Sequence, residues 1–248
     1  MLPQKTFLKR RYELFESDFD VNNNIRLNRF MQLLQNAATE HAEKLGFGWD
    51  ALNACNVLWV LSKVKIVFCA PIVKGATCLD IVTWPKAPNK FFADRLFEVY
   101  DDKGAHVASV LSVWVVIDKT ARRMASADRL ADLYKADFDE ATVDVTADFV
   151  RLRNGDDFAP AYTLPVMRSL LDVNKHVNNT NYVTLASDAT SGQMPGVLEI
   201  VYHKEIVGGN IEVSVRRGDK CEDVVGVVDG VLRFISNTNF NYSVVTLA

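Results

Sequence analysis

Residues 17–32, SDFDVNNNIRLNRFMQ, and residues 169–184, SLLDVNKHVNNTNYVT, are two versions of one pattern. Serine, aspartate, valine and asparagine coincide when the two segments are superimposed, so that Asp20 corresponds to Asp172. Further along each half, KIVFCAPIVKGA resembles EIVYHKEIVGGN. Because the two similar segments follow in the same order, the sequence predicts a chain built from two halves of the same design.

Each repeated segment runs into a pattern typical of a helix. In the first half, RLNRFMQLLQNAATEHAEKLG places apolar residues at three- and four-residue steps and stops at Gly46, which predicts a helix with a broad apolar face. In the second half, a shorter helix is expected to begin at Asn178 or Asn179, since either side chain could cap it.

Alternating apolar and polar runs follow each helix, among them CLDIVTW and FFADRLFEVYDD in the first half and NIEVSVRRG in the second. One helix and several antiparallel strands per half predict an α+β fold in which a curled sheet wraps a helix, twice over. The polar segment 124–157 separates the halves. We therefore expect a first domain at residues 1–135, a linker at 136–155 and a second domain at 156–248.

The second repeated segment has a side chain that can transfer a proton where the first has none. If the chain is extended as far as His176, then Asp172, Asn174 and His176 point to one side, because alternate side chains of a strand share a face. In the first half, Asn24 stands where the second half has His176. We expect groups that cap a helix in both halves, and groups that transfer a proton in the second half alone.

The composition argues against several classes of protein. The chain has 248 residues, 49% of them hydrophobic, and its 28 Lys and Arg against 31 Asp and Glu give a net charge of -3. This near balance does not favour a nucleic-acid or membrane surface. No apolar stretch is typical of a signal peptide or a membrane span, so a cytoplasmic protein is expected.

Neither a disulfide framework nor a metal site is expected. The four cysteines, at positions 55, 69, 78 and 221, have no CxxC spacing and are expected to be buried, reduced and chemically inert. His41 and His106 have no acidic or cysteine neighbour at ligand spacing. His203 is two residues from Glu205, and if both lie on one strand face it could tune that carboxylate.

Two motifs resemble the acyl-acyl carrier protein thioesterases, a family with a double hot-dog fold. LDVNKHVNNTNY (171–182) is similar to the family's second-half block of aspartate, asparagine, histidine and tyrosine, and ASVLSVWVVIDKTARRM (108–124) is similar to its first-half block. The resemblance covers nearly the whole chain. It implies two tandem hot-dog repeats, and it places the family's catalytic glutamate at Glu205 in YHKEI.

The resemblance implies hydrolysis of fatty acyl-acyl carrier protein to a free fatty acid, with no cofactor. Glu205 would activate a water, with Asp172, Asn174 and His176 as its partners, although direct attack by Asp172 remains an alternative. Plant members have a cysteine after the glutamate where this chain has Ile206, which disfavours a cysteine nucleophile. Plant members also carry a plastid-targeting extension that this sequence lacks, which implies a bacterial-type enzyme.

Substrate-binding residues follow from the same reasoning. Amides near Asn178 and Asn179 would polarise the thioester carbonyl, and the first helix, at Leu34, Ala37 and Ala38, would form a wall of the acyl pocket. Candidate contacts for the acidic carrier protein are Arg122, Arg123, Lys175, Lys204, Arg216 and Arg217.

Two other functions fit the same fold. An acyl-CoA thioesterase would share the chemistry, and a non-catalytic acyl-binding protein would not need His176 or Glu205. The sequence leaves the oligomeric state open, with a homodimer among the options.

Overall fold

The computed structural model describes residues 6–126, 130, 138, 140–151 and 157–241. The first half contains β1 (Leu8–Glu13), α1 (Leu27–Lys44), α2 (Trp49–Ala54), β2 (Val57–Phe68), β3 (Cys78–Pro85), β4 (Phe92–Asp101), β5 (His106–Asp118) and β6 (Arg123–Met124). The second half contains β7 (Ala159–Pro165), α3 (Asn179–Ala189), β8 (Val197–Tyr202), β9 (Asn210–Arg217), β10 (Cys221–Val228) and β11 (Val231–Asn239). Short 3-10 turns at Glu16–Asp18 and Arg168–Leu170 precede α1 and α3.

The strands form one antiparallel sheet that reads in the same order from both ends. Its order is β1-β3-β4-β5-β2-β8-β11-β10-β9-β7, with β6 paired to β5. From the other edge the order is β7-β9-β10-β11-β8, so the first and last five positions correspond one to one. The halves join where β2 pairs with β8, with Val64 opposite Ile200. The β-branched residues that fill these central strands suit a pleated, buried surface.

Helix α1 has the apolar face that its spacing predicts. Phe30, Met31 and Leu34 are buried on it, and the helix packs against α3, β1 and β3. The chain leaves the helix through Gly46, whose φ of 81° lies in the left-handed region that glycine adopts without a steric penalty. The predicted stop of this helix is confirmed.

Helix α3 contributes to two hydrophobic clusters, one shared between the halves and one within the second half. Its Val183 packs in the same buried cluster as Phe30 of α1 and Ile200 of β8. Its Tyr182 and Leu185 instead belong to the cluster formed by the second half of the sheet. The start of α3 therefore lies at the seam between the halves, which is where the candidate site is found.

Segment 141–151 crosses the outer face of the sheet and is fixed there by a buried ion pair. Lys65 Nζ lies 2.8 Å from Glu199 Oε1, and both residues are buried. Lys65 also donates to the carbonyl of Asp148 at 2.8 Å, and Glu199 accepts the amide of Val150 at 2.7 Å. Part of the expected linker is thus packed against the sheet. The expected boundaries at 135–136 and 155–156 involve positions outside the described residues.

Candidate active site

The loop before α3 is a tight turn held by Asp172. Its Oδ1 accepts the amides of Asn174 at 2.8 Å and His176 at 3.2 Å, and its own amide donates to the His176 carbonyl at 2.8 Å. Lys175 has a φ of 64°. The expectation of an extended segment with three side chains on one face is therefore wrong, because the aspartate carboxylate satisfies the loop amides and folds the chain back on itself.

The first half contains the same loop. Asp20 Oδ1 accepts the amides of Asn22 at 2.8 Å and Asn24 at 2.9 Å, and Asn23 has a φ of 62°. The loop-forming role of the aspartate is thus common to both halves, as predicted. It accounts for Asp172 without any catalytic requirement.

The structure brings His176 and Glu205 together. His176 Nε2 lies 3.5 Å from Glu205 Oε2, and the two side chains are 30% and 39% exposed. A backbone hydrogen bond of 2.8 Å from Val177 to the carbonyl of Ile206 joins the two segments. A carboxylate and an imidazole that face each other and remain open to water can act as base and acid.

The matching position in the first half lacks this pair. Ile25 donates to the carbonyl of Ile72 at 2.8 Å, which is the same bond that Val177 makes to Ile206. The residue before Ile72 is Pro71, where the second half has Glu205, and Asn24 stands where it has His176. Of these two equivalent sites, the second alone carries groups that can transfer a proton.

Three residues contact Glu205 or the residue that follows it. Arg233 Nη1 donates to its carbonyl oxygen at 2.9 Å, and Tyr182 OH accepts the amide of Ile206 at 3.2 Å. Burial raises the pKa of Tyr182 to about 12, so this phenol stays protonated at neutral pH. Arg122, which follows β5 in the first half, places Nη2 3.5 Å from Glu205 Oε2. The site therefore uses residues from both halves.

Sequence reasoning did not find Arg233 or assign Arg122 to this site. Arg233 lies on β11 and Arg122 beyond β5, and no motif joins either residue to YHKEI. Strand pairing brings them close. Tyr182 could have been found, because it is the conspicuous aromatic residue of the second repeated segment.

His203 is not on a strand with Glu205. Strand β8 ends at Tyr202, and residues 203–209 form an irregular connection, so the expected alternation of side chains does not apply. His203 donates its amide to the carbonyl of Arg233 at 2.8 Å. Desolvation and the neighbouring charge of Lys63 lower its pKa. The contacts of the described residues connect its imidazole to neither His176 nor Glu205.

Asn178 is the residue that caps α3. Its Oδ1 accepts the amide of Thr180 at 2.9 Å, and its carbonyl accepts the amide of Asn181 at 2.8 Å. The carbonyl of Asn179 accepts a 3.1 Å hydrogen bond from Tyr202 OH. Asn178 thus accepts the amides of Thr180 and Asn181, the second and third residues of α3. It does not accept the amide of Asn179, the first residue of the helix.

An apolar cavity of about 240 Å³ lies in the first half, between the end of α1, α2 and the sheet. Its lining includes Ala38, Trp59 and Trp114. A small second cavity shares Ala38 and Trp114 and reaches Leu34. Ala37 is fully buried and lines neither cavity among the described residues. Two of the three predicted wall residues thus face open space.

The six predicted basic contacts fall into two groups. Arg216 pairs with Asp223, and Arg217 Nε lies 3.2 Å from Glu222, so both are engaged within the second half. The others lie close to the acid–base pair in the chain or in space. Lys175 and Lys204 directly precede His176 and Glu205, Arg122 contacts Glu205, and Arg123 is its exposed neighbour.

Within the described ranges, no cluster of three or more His, Cys, Asp or Glu side chains could hold a metal ion. Across the same ranges, no helix has both the length and the apolar character needed to cross a bilayer.

Both halves of the chain match models of one known protein family. The model of the acyl-ACP thioesterase N-terminal domain matches residues 5–134, and that of the C-terminal domain matches residues 157–227. An oleoyl-acyl carrier protein thioesterase of Arabidopsis thaliana is 22% identical over 92% of this chain. This chain spans between 45% and 66% of the length of the curated relatives that it matches.

Solved structures show the same fold. The crystal structure of an acyl-ACP thioesterase from Bacteroides thetaiotaomicron superimposes with a TM-score of 0.82 at 23% identity, covering 95% of this chain and 98% of the other. The 12:0-ACP thioesterase from Umbellularia californica gives 0.78 at 17% identity, covering 96% and 98%. The extended sheet with few helices fits a hot-dog-type fold. With the N-terminal domain model alone matching more than half of its residues, the chain belongs to the acyl-ACP thioesterase family.

Proposed function

We propose that this protein hydrolyses the thioester of fatty acyl-acyl carrier protein and releases a free fatty acid. The observation that carries the proposal is the distance of 3.5 Å between His176 Nε2 and Glu205 Oε2. At the equivalent positions the first half has Asn24 and Pro71, which cannot act as acid and base. Membership of the acyl-ACP thioesterase family supports it.

In this proposal Glu205 is the general base. Its carboxylate takes a proton from water, the water oxygen attacks the thioester carbonyl carbon, and the carbon–sulfur bond breaks as the tetrahedral intermediate collapses. His176 positions the water and relays the proton from Glu205, 3.5 Å away, to the departing thiolate, which returns the carboxylate to its starting state. Asn174, exposed at the tip of the loop, contacts the substrate or the water.

Asp172 orients this pair instead of attacking the substrate. Its carboxylate already accepts the amides of Asn174 and His176, and those bonds fix the loop that presents the imidazole. A carboxylate held by backbone donors is a weaker nucleophile than an unengaged one. The anhydride alternative therefore ranks second.

The thioester carbonyl is polarised at the start of α3. The Asn179 amide is the first-turn donor that Asn178 leaves unused, and the helix dipole places partial positive charge there. Asn178 fixes this donor by capping the helix. The acyl chain extends into the cavity of the first half, where Ala38 and Leu34 form part of the wall and Ala37 packs behind them.

We further propose that the halves are tandem hot-dog repeats, with domains at 1–135 and 156–248 joined by a linker at 136–155. The matching strand orders and the two equivalent aspartate loops support a repeat. The interval between the two family matches, from 134 to 157, supports this boundary.

Acyl carrier protein is the proposed carrier of the substrate. Arg122, Arg123, Lys175 and Lys204 lie next to the acid–base pair in the chain or in space and suit an acidic partner, whereas Arg216 and Arg217 pair with Asp223 and Glu222 of the second half. The cytoplasm is the expected compartment, and neither a nucleic acid nor a membrane is an expected partner.

Free-thiol release from acyl-carrier-protein and acyl-CoA substrates of matched chain length tests this function. We expect turnover of both, with a higher kcat/KM for the carrier-protein series and an advantage that shrinks as salt rises. An equal preference at every salt concentration would favour the acyl-CoA thioesterase. Tight acyl binding without thiol release would favour a non-catalytic binding protein.

A further inference from the structure

Folding assembles a second cluster of reactive side chains, away from the proposed active site. His106 at the start of β5 lies between Cys69, which follows β2, and Glu98 of β4. In the sequence His106 has no acidic or cysteine neighbour at ligand spacing, but folding brings one of each to its ring. The sheet supplies both, because β5 lies between β4 and β2 in the strand order.

The two ring nitrogens of His106 have different partners. Nδ1 lies 3.5 Å from the sulfur of Cys69, and Nε2 forms an ion pair with Glu98 Oε2. Ser109 Oγ lies 3.1 Å from the Glu98 carboxylate and 3.2 Å from Nε2. Backbone pairing fixes the geometry, since Cys69 donates its amide to Val107 and Glu98 is opposite Ser109.

The cluster is partly buried. The side chains of His106 and Glu98 are 7% and 12% exposed, and Cys69 is partly buried as well. A thiol that is not fully buried can be reached by a small molecule.

A metal does not explain this arrangement. The sulfur and the carboxylate approach opposite nitrogens of one ring, so the three groups cannot converge on a single ion. A thiol, an imidazole and a carboxylate in line instead form the arrangement that activates a cysteine, in which the imidazole takes the thiol proton and the carboxylate orients the ring. The contacts with Cys69 and Glu98 raise the pKa of His106 to about 10, so its ring can hold that proton at neutral pH.

We propose that Cys69 is a reactive thiol, activated by His106 and Glu98, that hydrogen peroxide oxidises to a sulfenic acid. This modification site shares no residue with the proposed thioesterase site, since its members lie on β4, β5 and the residue after β2.

The chemistry balances with hydrogen peroxide as the oxidant. The thiol proton passes to His106, and the thiolate sulfur attacks one peroxide oxygen, forming the sulfur–oxygen bond as the oxygen–oxygen bond breaks. Sulfur loses two electrons and the peroxide gains them. The departing hydroxide takes the proton from His106 and leaves as water.

Site-resolved labelling of the full-length native protein tests the proposal. Hydrogen peroxide is added with dimedone, which traps sulfenic acids, and mass spectrometry follows each cysteine over time. Cys221 is the reference within the same molecule, because it too is partly buried. We expect Cys69 to be labelled at least about tenfold faster than Cys221.

Two substitutions separate activation from simple exposure. His106→Asn should lower the labelling rate of Cys69 to about that of Cys221, whereas Ser109→Ala, which keeps the imidazole and the carboxylate, should change it by less than about threefold. Circular dichroism checks that each variant is folded. Labelling of Cys69 no faster than Cys221 in the unmodified protein would overturn the proposal, and that comparison requires no variant. An unchanged rate in folded His106→Asn would overturn it as well.

Discussion

Asp20 and Asp172 hold equivalent loops in the two halves, because each carboxylate accepts the amides of the residues two and four positions later in the chain. The matching residues Asn23 and Lys175 both adopt the left-handed conformation, with φ values of 62° and 64°. The two loops are thus equivalent in their backbone, and they differ in what the loop presents.

Asp172→Asn should keep kcat within about tenfold of the parent, because an amide oxygen can still accept both loop amides. Asp20→Asn is the matched control, and we expect both variants to lose similar small amounts of stability in urea unfolding. A fall in kcat of about a thousandfold or more in folded Asp172→Asn alone would instead favour direct attack by the carboxylate.

Ala38→Leu should shift substrate preference toward shorter acyl chains. Ala38 lines the cavity, so the larger side chain excludes methylene groups of the substrate, each worth about 0.8 kcal/mol of binding. The measurement is kcat/KM across a series of chain lengths.

Ala37→Leu is the control for that experiment. Ala37 is fully buried and faces neither cavity among the described residues, so enlarging it should cost about 1–3 kcal/mol of stability and leave the order of preference unchanged. A shift in chain-length preference from Ala37→Leu, or none from folded Ala38→Leu, would contradict the assigned pocket.

The free energy of unfolding should decrease as the pH is lowered, because His41 is protonated more readily in the unfolded chain. Burial, and then the charge of Arg95, lower the pKa of His41 from 6.5 to about 4, and Arg95 donates to its Nδ1 at 3.1 Å. Between pH 6.5 and about pH 4, His41 binds a proton in the unfolded chain but not in the folded protein. The free energy of unfolding therefore has its full contribution from His41 above about pH 6.5 and loses it as the pH falls toward 4.

Urea unfolding at a series of pH values measures this effect. His41→Gln should lose less free energy of unfolding than the parent between about pH 7 and pH 4, because it removes the titrating group. His203→Gln should change the pH dependence in the same direction but by less, because desolvation also lowers the pKa of His203 although its side chain is exposed. Parallel curves for the parent and His41→Gln would show that His41 is not the group responsible.

The features that sequence could predict are those written in local spacing. The apolar steps of α1, its end at Gly46 and the capping of α3 at Asn178 depend on residues a few positions apart. The repeat also located Asp172 and His176, since the first half offers a built-in comparison.

The features that sequence could not predict depend on strand register. Arg233 and Arg122 reach Glu205 from β11 and from beyond β5, and no local pattern encodes those distances. The extended conformation expected for residues 172–176 failed for a different reason, because the aspartate side chain competes successfully for the loop amides.

The central claim is that the second-half loop pair is catalytic and its first-half counterpart is structural. Single-turnover and steady-state hydrolysis of one acyl-carrier-protein substrate should be measured for Glu205→Gln, His176→Ala and Asn24→Ala. We expect the first two to lower kcat by about 10² to 10⁴ while substrate still binds, and Asn24→Ala to stay within about tenfold of the parent. Near-parental kcat in folded Glu205→Gln, or equal losses from Asn24→Ala and His176→Ala, would contradict the account.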